Sequence, residues 1–167
     1  MFGNVKADIK NNKGNKKAIF IIVFFRITHF FCIRRKNIIY NLAGIPFRIL
    51  YRLIVEWLLG VEIPASTSIG KGLILHHGQG LVVHANTIIG ENVTLKHNTT
   101  LGIKESGPNM GAPVIGNNVV IHPHVVIFGN ITVAENVVVG AGAVINKSVS
   151  PNSVVVGNPQ KIVRKIA

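Results

Sequence analysis

The sequence contains a single cysteine and no uninterrupted apolar run long enough to span a membrane, and each shortage excludes a class of protein. The single cysteine, Cys32, excludes an intramolecular disulfide framework and a Cys-x-x-Cys metal site, and it favours a reducing compartment. The uninterrupted apolar run of residues 18–25 is shorter than the ~20 residues that span a bilayer. Arg26 follows that run in place of a small-residue cleavage site, so a secretory signal peptide is not expected.

The charge is strongly positive and unevenly distributed. Lysine and arginine number 18 against 6 acidic residues, which gives a formal net charge of +12 at pH 7. Residues 1–60 hold eleven of the basic residues but only two acids, Asp8 and Glu56. The aromatic residues sit in apolar runs rather than among the lysines, so nucleic acid is not an expected partner. An anionic membrane surface or an acidic glycan on a diphosphate carrier fits better, and a solubilising extension is the remaining alternative.

A six-residue period dominates residues 115–150. Six successive hexads open on a branched aliphatic residue: Ile115, Ile121, Ile127, Val133, Val139 and Ile145. The fifth residue of nearly every hexad is also apolar, and glycine, asparagine, proline or other polar residues fill the middle. This pattern is neither the helical period nor strict strand alternation. A fixed period of six indicates a mainly β fold, a parallel β-helix in which each turn buries its apolar positions against the next.

Two interruptions of this period mark candidate functional loops. The hexads of residues 63–75 share one frame, which slips by two residues before it resumes at Val83. The frame slips again, with a longer insertion, before Ile115. The extra residues fall in residues 76–80 and 102–113, and insertions in a repeat array mark its binding face. We therefore expect the chemistry in these two loops.

The segment before the solenoid is predicted to be largely helical. The apolar residues 18–33 form a helix that either packs on the solenoid or lies on a membrane. A second helix is expected over residues 46–59, with Pro46 in its first turn and Gly60 at its end. The chain then divides into four segments: a basic flexible tail (1–17), a helical segment (18–60), the solenoid (61–159) and a C-terminal basic tail (160–167).

Four motifs give the sequence a specific resemblance to a known family. They are VEIP at residues 61–64, IGKGLILHHG at 69–78, TTLG at 99–102 and VGNP at 156–159. With the hexads, they resemble the hexapeptide-repeat acyltransferases, in particular the serine acetyltransferases. They are closer still to the colanic-acid-type enzymes that O-acetylate bacterial polysaccharides. The resemblance implies a left-handed parallel β-helix, acetyl-CoA as the donor substrate without a metal, and a homotrimer whose sites lie between neighbouring chains.

The resemblance assigns the reaction chemistry to His77 and Glu62. His77 matches the histidine that acts as general base in that family and takes the proton from the acceptor hydroxyl as it attacks the thioester. An imidazole suits this task because it titrates near working pH. Glu62 matches the carboxylate that orients the base, a position where the family usually has aspartate. Glutamate has a longer side chain than aspartate, so the contact between Glu62 and His77 is expected to differ in geometry from that of the family.

The resemblance also places the oxyanion donors and the contacts to the donor substrate. The backbone N–H groups just after the TTLG motif, of Gly102 or Ile103, correspond to the family's oxyanion donors. The pantetheine arm is expected to run along the later coils. The residues expected to bind acetyl-CoA are Gly102, His124, Gly140, Ala141, Gly142, Gly157 and Pro159.

The histidines of the predicted solenoid are expected to have different roles according to their positions in the hexads. Counting hexads in threes places His77 and His97 at the same position one coil apart, and neighbouring strands are ~4.8 Å apart. His97 is therefore a predicted substrate contact, and His76 has a predicted substrate-binding or structural role. His122 and His124 continue this face, either in contact with the donor or simply exposed. A carbonic-anhydrase-type zinc site is not expected, because no two histidines are five residues apart.

The acceptor is expected to be a sugar hydroxyl. Serine acetyltransferases carry Arg-His-Pro at the end of the second loop, which helps to hold the amino acid, whereas residues 111–113 here are Gly-Ala-Pro. We therefore expect O-acetylation of a bacterial capsular or exopolysaccharide, or of its precursor. The enzyme would be cytoplasmic, and peripheral at the inner face of the membrane if its basic segment binds lipid. Serine O-acetylation and amino-sugar N-acetylation remain alternatives, and a non-catalytic scaffold is the alternative of a different class.

Overall fold

The computed structural model describes residues 2–166, which form three helices followed by a parallel β-solenoid. The helices are α1 (Phe2–Asn11), α2 (Lys16–Cys32) and α3 (Ile38–Tyr51), and α3 continues directly into a π-helical segment, Arg52–Leu58. The strands of the first three coils are β1 (Val61–Glu62), β2 (Ser68–Ile69), β3 (Ile74–His76), β4 (Leu81–Val83), β5 (Ile88–Ile89), β6 (Thr94–Lys96), β7 (Thr100–Gly102), β8 (Val114–Ile115) and β9 (Val120–Ile121). The later strands are β10 (Val126–Phe128), β11 (Thr132–Val133), β12 (Val138–Val139), β13 (Val144–Ile145), β14 (Ser153–Val156) and β15 (Lys161–Lys165).

The strands stack into the three faces of a prism of about five turns. The first face has the order β1-β4-β7-β10-β13, the second β2-β5-β8-β11, and the third β3-β6-β9-β12-β14-β15. On the third face Leu75 lies opposite Leu95, and Leu95 lies opposite Ile121. The predicted parallel β-helix with a helical lead-in is confirmed.

The core is built from the first and fifth residues of the hexads. Every residue that opens a hexad, from Ile63 to Ile145, is at most 6% exposed. Fifth residues such as Val119 and Val137 are fully buried as well. Burying a branched aliphatic side chain contributes ~1.5–3 kcal/mol, so one coil adds several such increments to stability. The six-residue period is thus the packing repeat of the solenoid.

Asparagines turn one corner of the prism. Asn92, Asn118, Asn136 and Asn152 have φ values of 54° to 57°, in the left-handed region that asparagine tolerates better than most residues. Their side-chain amides donate to one another from coil to coil over 3.3, 3.1 and 2.8 Å. Asn11 of α1 adds a rung to this asparagine ladder, since its amide lies 3.4 Å from Asn92 Oδ1 and bonds Gly72 O.

The prediction of a flexible tail over residues 1–17 is wrong for the described part, because α1 is anchored to the first coil. Asp8 and Arg26 form an ion pair with a 2.8 Å Nε–Oδ2 distance, and their side chains are 1% and 3% exposed. Asp8 Oδ1 accepts hydrogen bonds from the N–H groups of Gly72 and Leu73. The guanidinium of Arg26 donates to Ile69 O over 2.7 Å and also to Gly70 O. The helix is therefore fixed by tertiary contacts that no local pattern reports.

The apolar helix α2 packs on the solenoid, which was one of its two predicted placements. Ile21, Ile22 and Phe25 are 1% exposed and belong to the same core as the first coils. His29 bonds Ala65 O through Nδ1 over 2.8 Å, and burial lowers the pKa of His29 more than that bond raises it. Asn15 caps the start of α2 and also donates to Leu75 O over 3.1 Å. This cap brings the beginning of α2 close to β3.

The predicted helix over residues 46–59 is longer than expected. It begins at Ile38, where Asn37 Oδ1 accepts from Ile39 N over 3.0 Å, and Pro46 lies inside it rather than in its first turn. Asn37 is the sequence signal for this start, whereas Pro46 wrongly suggested a start eight residues later. Residues 38–58 are long and apolar enough to cross a membrane by length and composition, and only 17% of the most apolar window is buried.

The predicted C-terminal tail over residues 160–167 is instead a strand in the part that the structure describes. β15 pairs antiparallel with β14, with Ser153 opposite Lys165 and Val156 opposite Lys161. All five residues of β15 are exposed. The strand therefore covers the free edge of the last coil on the third face and presents basic side chains to solvent.

Candidate active site

The first predicted loop is a two-residue excursion that carries His77. His76 lies opposite Lys96 at the end of β3. Asn98 N donates to Gln79 O over 2.9 Å, which repeats the bond between His124 N and His97 O in the next coil. Gln79 therefore takes the place opposite His97, and His77 and Gly78 are the extra residues. The insertion pushes an exposed imidazole out at the corner between the third and first faces.

The backbone of His77 is held in an unfavourable conformation. Its φ is 62°, in the left-handed region that costs a side chain with a Cβ ~1–2 kcal/mol. Eight non-glycine residues of the described chain have such a positive φ, and six of them are asparagines. The two exceptions are His77 and His124, which lie at the same corner of the prism. Glycine and asparagine hold the other positive-φ positions of the described chain, so the two histidines are unusual residues for this conformation.

Three imidazoles gather at this corner. The ring centroids of His77 and His97 are 6.0 Å apart, and those of His97 and His124 are 5.4 Å apart, both edge to face. His97 Nδ1 is buried and has no hydrogen-bond partner among residues 2–166. A buried polar atom without a partner is costly. No group of three or more His, Cys, Asp or Glu within residues 2–166 has the arrangement of a metal site.

A second row of polar residues runs beside the imidazoles and includes Lys96, which the sequence analysis missed. Lys96 follows Leu95 on β6 and lies between His76 and His122 of the neighbouring coils. Its Nζ is 3.3 Å from His122 Nδ1. Burial, and secondarily the Lys96 ammonium, lower the pKa of His122, which favours the neutral imidazole as an acceptor for Lys96. The hexad register contains the signal for this row, because His76, Lys96 and His122 each directly follow the residue that opens their hexad.

Glu62 does not contact the predicted base in this chain. It lies exposed on β1, and within residues 2–166 it forms neither a hydrogen bond nor an ion pair with His77. Its charge instead acts on Glu56, whose pKa is raised mainly by burial and also by Glu62, although Arg52 opposes the shift. The pairing of Glu62 with His77 stays a prediction.

The predicted oxyanion donors lie on the opposite edge of the first face from His77. Gly102 ends β7, opposite Phe128, whereas the corner that carries His97 precedes the start of β7. Three residues of strand at ~3.3 Å each put these edges ~10 Å apart. Ile103 follows Gly102, and its N–H makes none of the turn and loop hydrogen bonds found among residues 2–166. One chain therefore does not bring the base and these donors together.

Most of the residues predicted to bind the donor follow the same edge as His77. His124 and Gly142 occupy equivalent corner positions, since Gly142 N donates to Pro123 O as His124 N donates to His97 O. Gly157 continues the row, because Val144 N donates to its carbonyl over 3.1 Å. Gly140 also has a packing role, because a Cβ there would lie 2.7 Å from Val156 Cγ1. Gly102 is the member of the predicted set that lies elsewhere.

The second predicted loop, residues 102–113, is an ordered hairpin. Lys104 and Gly111 exchange two backbone hydrogen bonds of 2.9 Å, and Lys104 Nζ donates to Pro108 O. Asn109 O accepts from Asn130 N over 2.8 Å, which attaches the hairpin to the following coil. Met110, next to the bridge at Gly111, is exposed. The loop is therefore held against the following coil at the edge that carries Gly102.

Comparison with known proteins places this geometry in a family. Residues 112–147 match the family of the bacterial transferase hexapeptide (six repeats). A protein of Escherichia coli strain K12, whose provisional name is colanic acid biosynthesis acetyltransferase WcaB, is 36% identical over 156 residues, which are 93% of this chain and 96% of that protein. The chain belongs to the hexapeptide-repeat acetyltransferases. The predicted family and the predicted acyltransferase activity are confirmed.

Serine acetyltransferases are similar over a smaller share of their length. The enzyme of Buchnera aphidicola subsp. Schizaphis graminum is 33% identical over 115 residues, which are 67% of this chain and 43% of that enzyme. The serine acetyltransferase of Brucella abortus strain S19, solved in complex with coenzyme A, has the same fold with a TM-score of 0.82 at 24% identity, covering 99% of this chain and 68% of that structure. The hexapeptide-repeat acetyltransferase fold thus extends to the helical lead-in.

Proposed function

We propose that this hexapeptide-repeat acetyltransferase transfers acetyl from acetyl-CoA to a sugar hydroxyl of a bacterial surface polysaccharide or its precursor, with His77 as the general base. The observation that carries the proposal is the placement of His77, which an insertion holds exposed and at a positive φ beside the unpartnered Nδ1 of His97. A scaffold solenoid would have asparagine or glycine in such a conformation. The coenzyme A bound to the Brucella serine acetyltransferase supports acetyl-CoA as the donor.

The chain's own groups supply the steps of the transfer. A nitrogen of His77 removes the proton of the acceptor hydroxyl as its oxygen attacks the thioester carbonyl carbon, and a tetrahedral oxyanion forms. An N–H of Gly102 or Ile103 from a neighbouring chain of the expected trimer donates to that oxyanion. The intermediate then expels the thiolate, which takes the proton from the imidazolium. The His97 ring, 6.0 Å from that of His77, is expected to contact the acceptor.

The comparisons differ in how well they fit the two candidate acceptors. The WcaB relative, named for the biosynthesis of a polysaccharide, aligns over nearly its whole length, whereas the Buchnera serine acetyltransferase aligns over less than half of its own. The second loop also ends in Gly-Ala-Pro at residues 111–113, without a charged side chain to hold an amino acid. Both observations favour a sugar acceptor, and the serine acetyltransferase relatives keep serine as the second candidate.

We expect labelled acetyl-CoA to pass its acetyl group to surface-polysaccharide repeat units or their precursors, and not to serine. The reason is the uncharged end of the second loop, which leaves a serine carboxylate without a cation there. The measurement is label recovered in each acceptor after incubation with the full chain, with an amino sugar included to detect N-acetylation. Preferential labelling of serine would replace the proposal by serine O-acetylation.

The protein is expected to form a homotrimer, because one chain separates the base from the oxyanion donors. The His77 edge of one prism and the Gly102 edge of a neighbour could meet in a cleft, and a small solenoid also gains by burying surface between copies. Light scattering at micromolar concentration should give three times the mass of the 18.1 kDa chain. A monomeric mass together with full activity would rule out the shared site.

A further inference from the structure

The helices carry an apolar surface that nothing within residues 2–166 covers. We call the turn between α2 and α3 with the start of α3, residues 33–42, the helical tip. Ile33, Ile38 and Ile39 at this tip are 57%, 66% and 72% exposed. At the other end of the same side, Trp57 and Leu58 are 72% and 77% exposed. Between the two ends, Leu42, Ile45, Ile49 and Leu53 are also exposed, and the last three line one groove with Trp57. A contiguous apolar surface of this kind marks a binding face.

Basic residues are interleaved with this apolar surface, and acids are not. Arg34, Arg35 and Lys36 form the turn at the centre of the helical tip, and all three are exposed. Residues 1–60 hold eleven basic residues and two acids, a net charge of +9. Both acids are already engaged within the described residues, since Asp8 is buried against Arg26 and Glu56 faces Arg52 at 3.7 Å. The uncovered face therefore attracts anions and apolar groups together.

We propose that the helical tip and the outer side of α3 dock on an anionic lipid bilayer. A second copy of the chain is the poorer occupant, because burying this face between copies would bring two segments of net charge +9 together. A bilayer with anionic headgroups accepts the isoleucines below the basic residues, which is how amphipathic helices lie at an interface. Charge complementarity therefore favours an anionic lipid surface over a second copy of the chain.

The helix lies on the bilayer rather than across it. One side of α3 stays on the protein, because Tyr51 is 2% exposed and donates from its hydroxyl to Ile63 O over 2.9 Å. Val55 in the π-helical segment is fully buried against the same core. Arg48 and Arg52 lie in the middle of the apolar stretch, where a spanning helix could not solvate them cheaply. Crossing the membrane would require α3 to leave the solenoid.

Docking in this way would bring the active site towards the membrane. His77 lies near Asn15 at the start of α2, ~25 Å along that helix from the tip. However, α3 runs back from the tip along α2, and Gly60, just beyond the π-helical segment that continues α3, accepts a hydrogen bond over 2.8 Å from Gly80 N, three residues beyond His77. Resting on the proposed function, we expect the acceptor to be a lipid-linked glycan held at the membrane surface. In a parallel trimer all three helical tips would face the same side, so that binding of one tip favours binding of the others.

Vesicle flotation of the full chain tests the proposal. Phosphatidylcholine vesicles that contain phosphatidylglycerol should carry the protein, and pure phosphatidylcholine vesicles should carry far less. Arg35→Gln/Lys36→Gln should weaken binding about thirtyfold, because each basic residue near the surface contributes ~1 kcal/mol. Ile38→Ser/Ile39→Ser should also weaken it. The matched controls Lys161→Gln/Arg164→Gln and Ile162→Ser/Val163→Ser make the same changes on exposed β15, at the far end of the solenoid, and should bind normally.

Trp57 supplies an independent readout, because it is the only tryptophan of the chain. Its emission should shift to the blue when anionic vesicles are added. Failure of the anionic vesicles to carry the protein would overturn the proposal, as would equal losses from the tip and β15 variants. Emission already blue-shifted without lipid, and dependent on protein concentration, would identify the face as a contact between copies instead. Acetyl transfer to a soluble acceptor, measured with the same variants, reports on the proposed function separately.

Discussion

Replacing His77 by asparagine should lower turnover ~10²–10⁴-fold, because the variant has no group that can remove the acceptor proton. Asparagine is the sharper choice than alanine, since six asparagines of this chain already adopt the φ of 53° to 59° that resembles the 62° of His77. Alanine in that conformation would add backbone strain to the loss of the base. Steady-state kinetics with acetyl-CoA and the labelled acceptor measure the effect.

His124→Asn is the matched control. His124 has a φ of 61° and an exposed side chain at the same corner, so the substitution makes the same backbone demand. We expect His124→Asn to raise the KM for acetyl-CoA with little loss of kcat, because this residue is predicted to contact the donor. Near-normal turnover of His77→Asn, or equal loss of kcat in both variants, would show that His77 is not the base.

Replacing Arg26 by methionine should destabilise the protein by ~3–5 kcal/mol, the usual consequence of removing one partner of a buried ion pair. The loss leaves Asp8 buried and charged beside two backbone N–H groups, and it also strips the carbonyls of Ile69 and Gly70 of their donor. Urea unfolding at a fixed protein concentration measures the change, since the stability of an oligomer depends on concentration.

Arg52→Met is the control for that substitution. The Arg52 side chain is 70% exposed and lies 3.7 Å from Glu56, so its loss should change stability by less than ~1 kcal/mol. Asp8→Leu combined with Arg26→Met should not restore stability, although an apolar pair often replaces a buried ion pair well. Here the pair also satisfies backbone groups of the first coil. If the double variant recovered the wild-type stability, the hydrogen bonds of Asp8 and Arg26 to the backbone of the first coil would contribute nothing beyond the ion pair itself.

The sequence predicted the solenoid well because the solenoid's order is local. A buried position every six residues is visible in one dimension, and all thirteen hexad openings from Ile63 to Ile145 lie in the core. The excursion at His77 was predictable for the same reason, since an insertion shifts the frame. Counting coils correctly placed the rings of His97 and His124 near His77, with ring separations of 6.0 Å and 5.4 Å along the row. The count was wrong about the register, because the insertion puts Gln79 rather than His77 opposite His97.

Features that depend on distant contacts were missed. A lysine-rich stretch predicts a tail, and only the buried contacts of Asp8 with Arg26 and with the first coil make it a helix. Pro46 suggested that the helix starts there, but α3 extends further towards the N-terminus and packs on α2 at Gly44. A Cβ at Gly44 would lie only 2.7 Å from Phe31 Cβ, so this close approach requires glycine. The orientation of Glu62 depends on which neighbours attract it, and sequence spacing does not contain that information.

The side chains of the helical lead-in also decide where the stack of coils ends. An uncovered first coil would present its unpaired N–H and C=O groups as a template for another chain. Here ten of those groups are taken by side chains of residues 8–51. They are Ile63 O, Ala65 O, Ile69 O, Gly70 O, both groups of Gly72, both of Leu73 and both of Leu75. β15 covers the last coil on the third face, and together these contacts oppose end-to-end pairing of solenoids, which is how such repeats would form fibres.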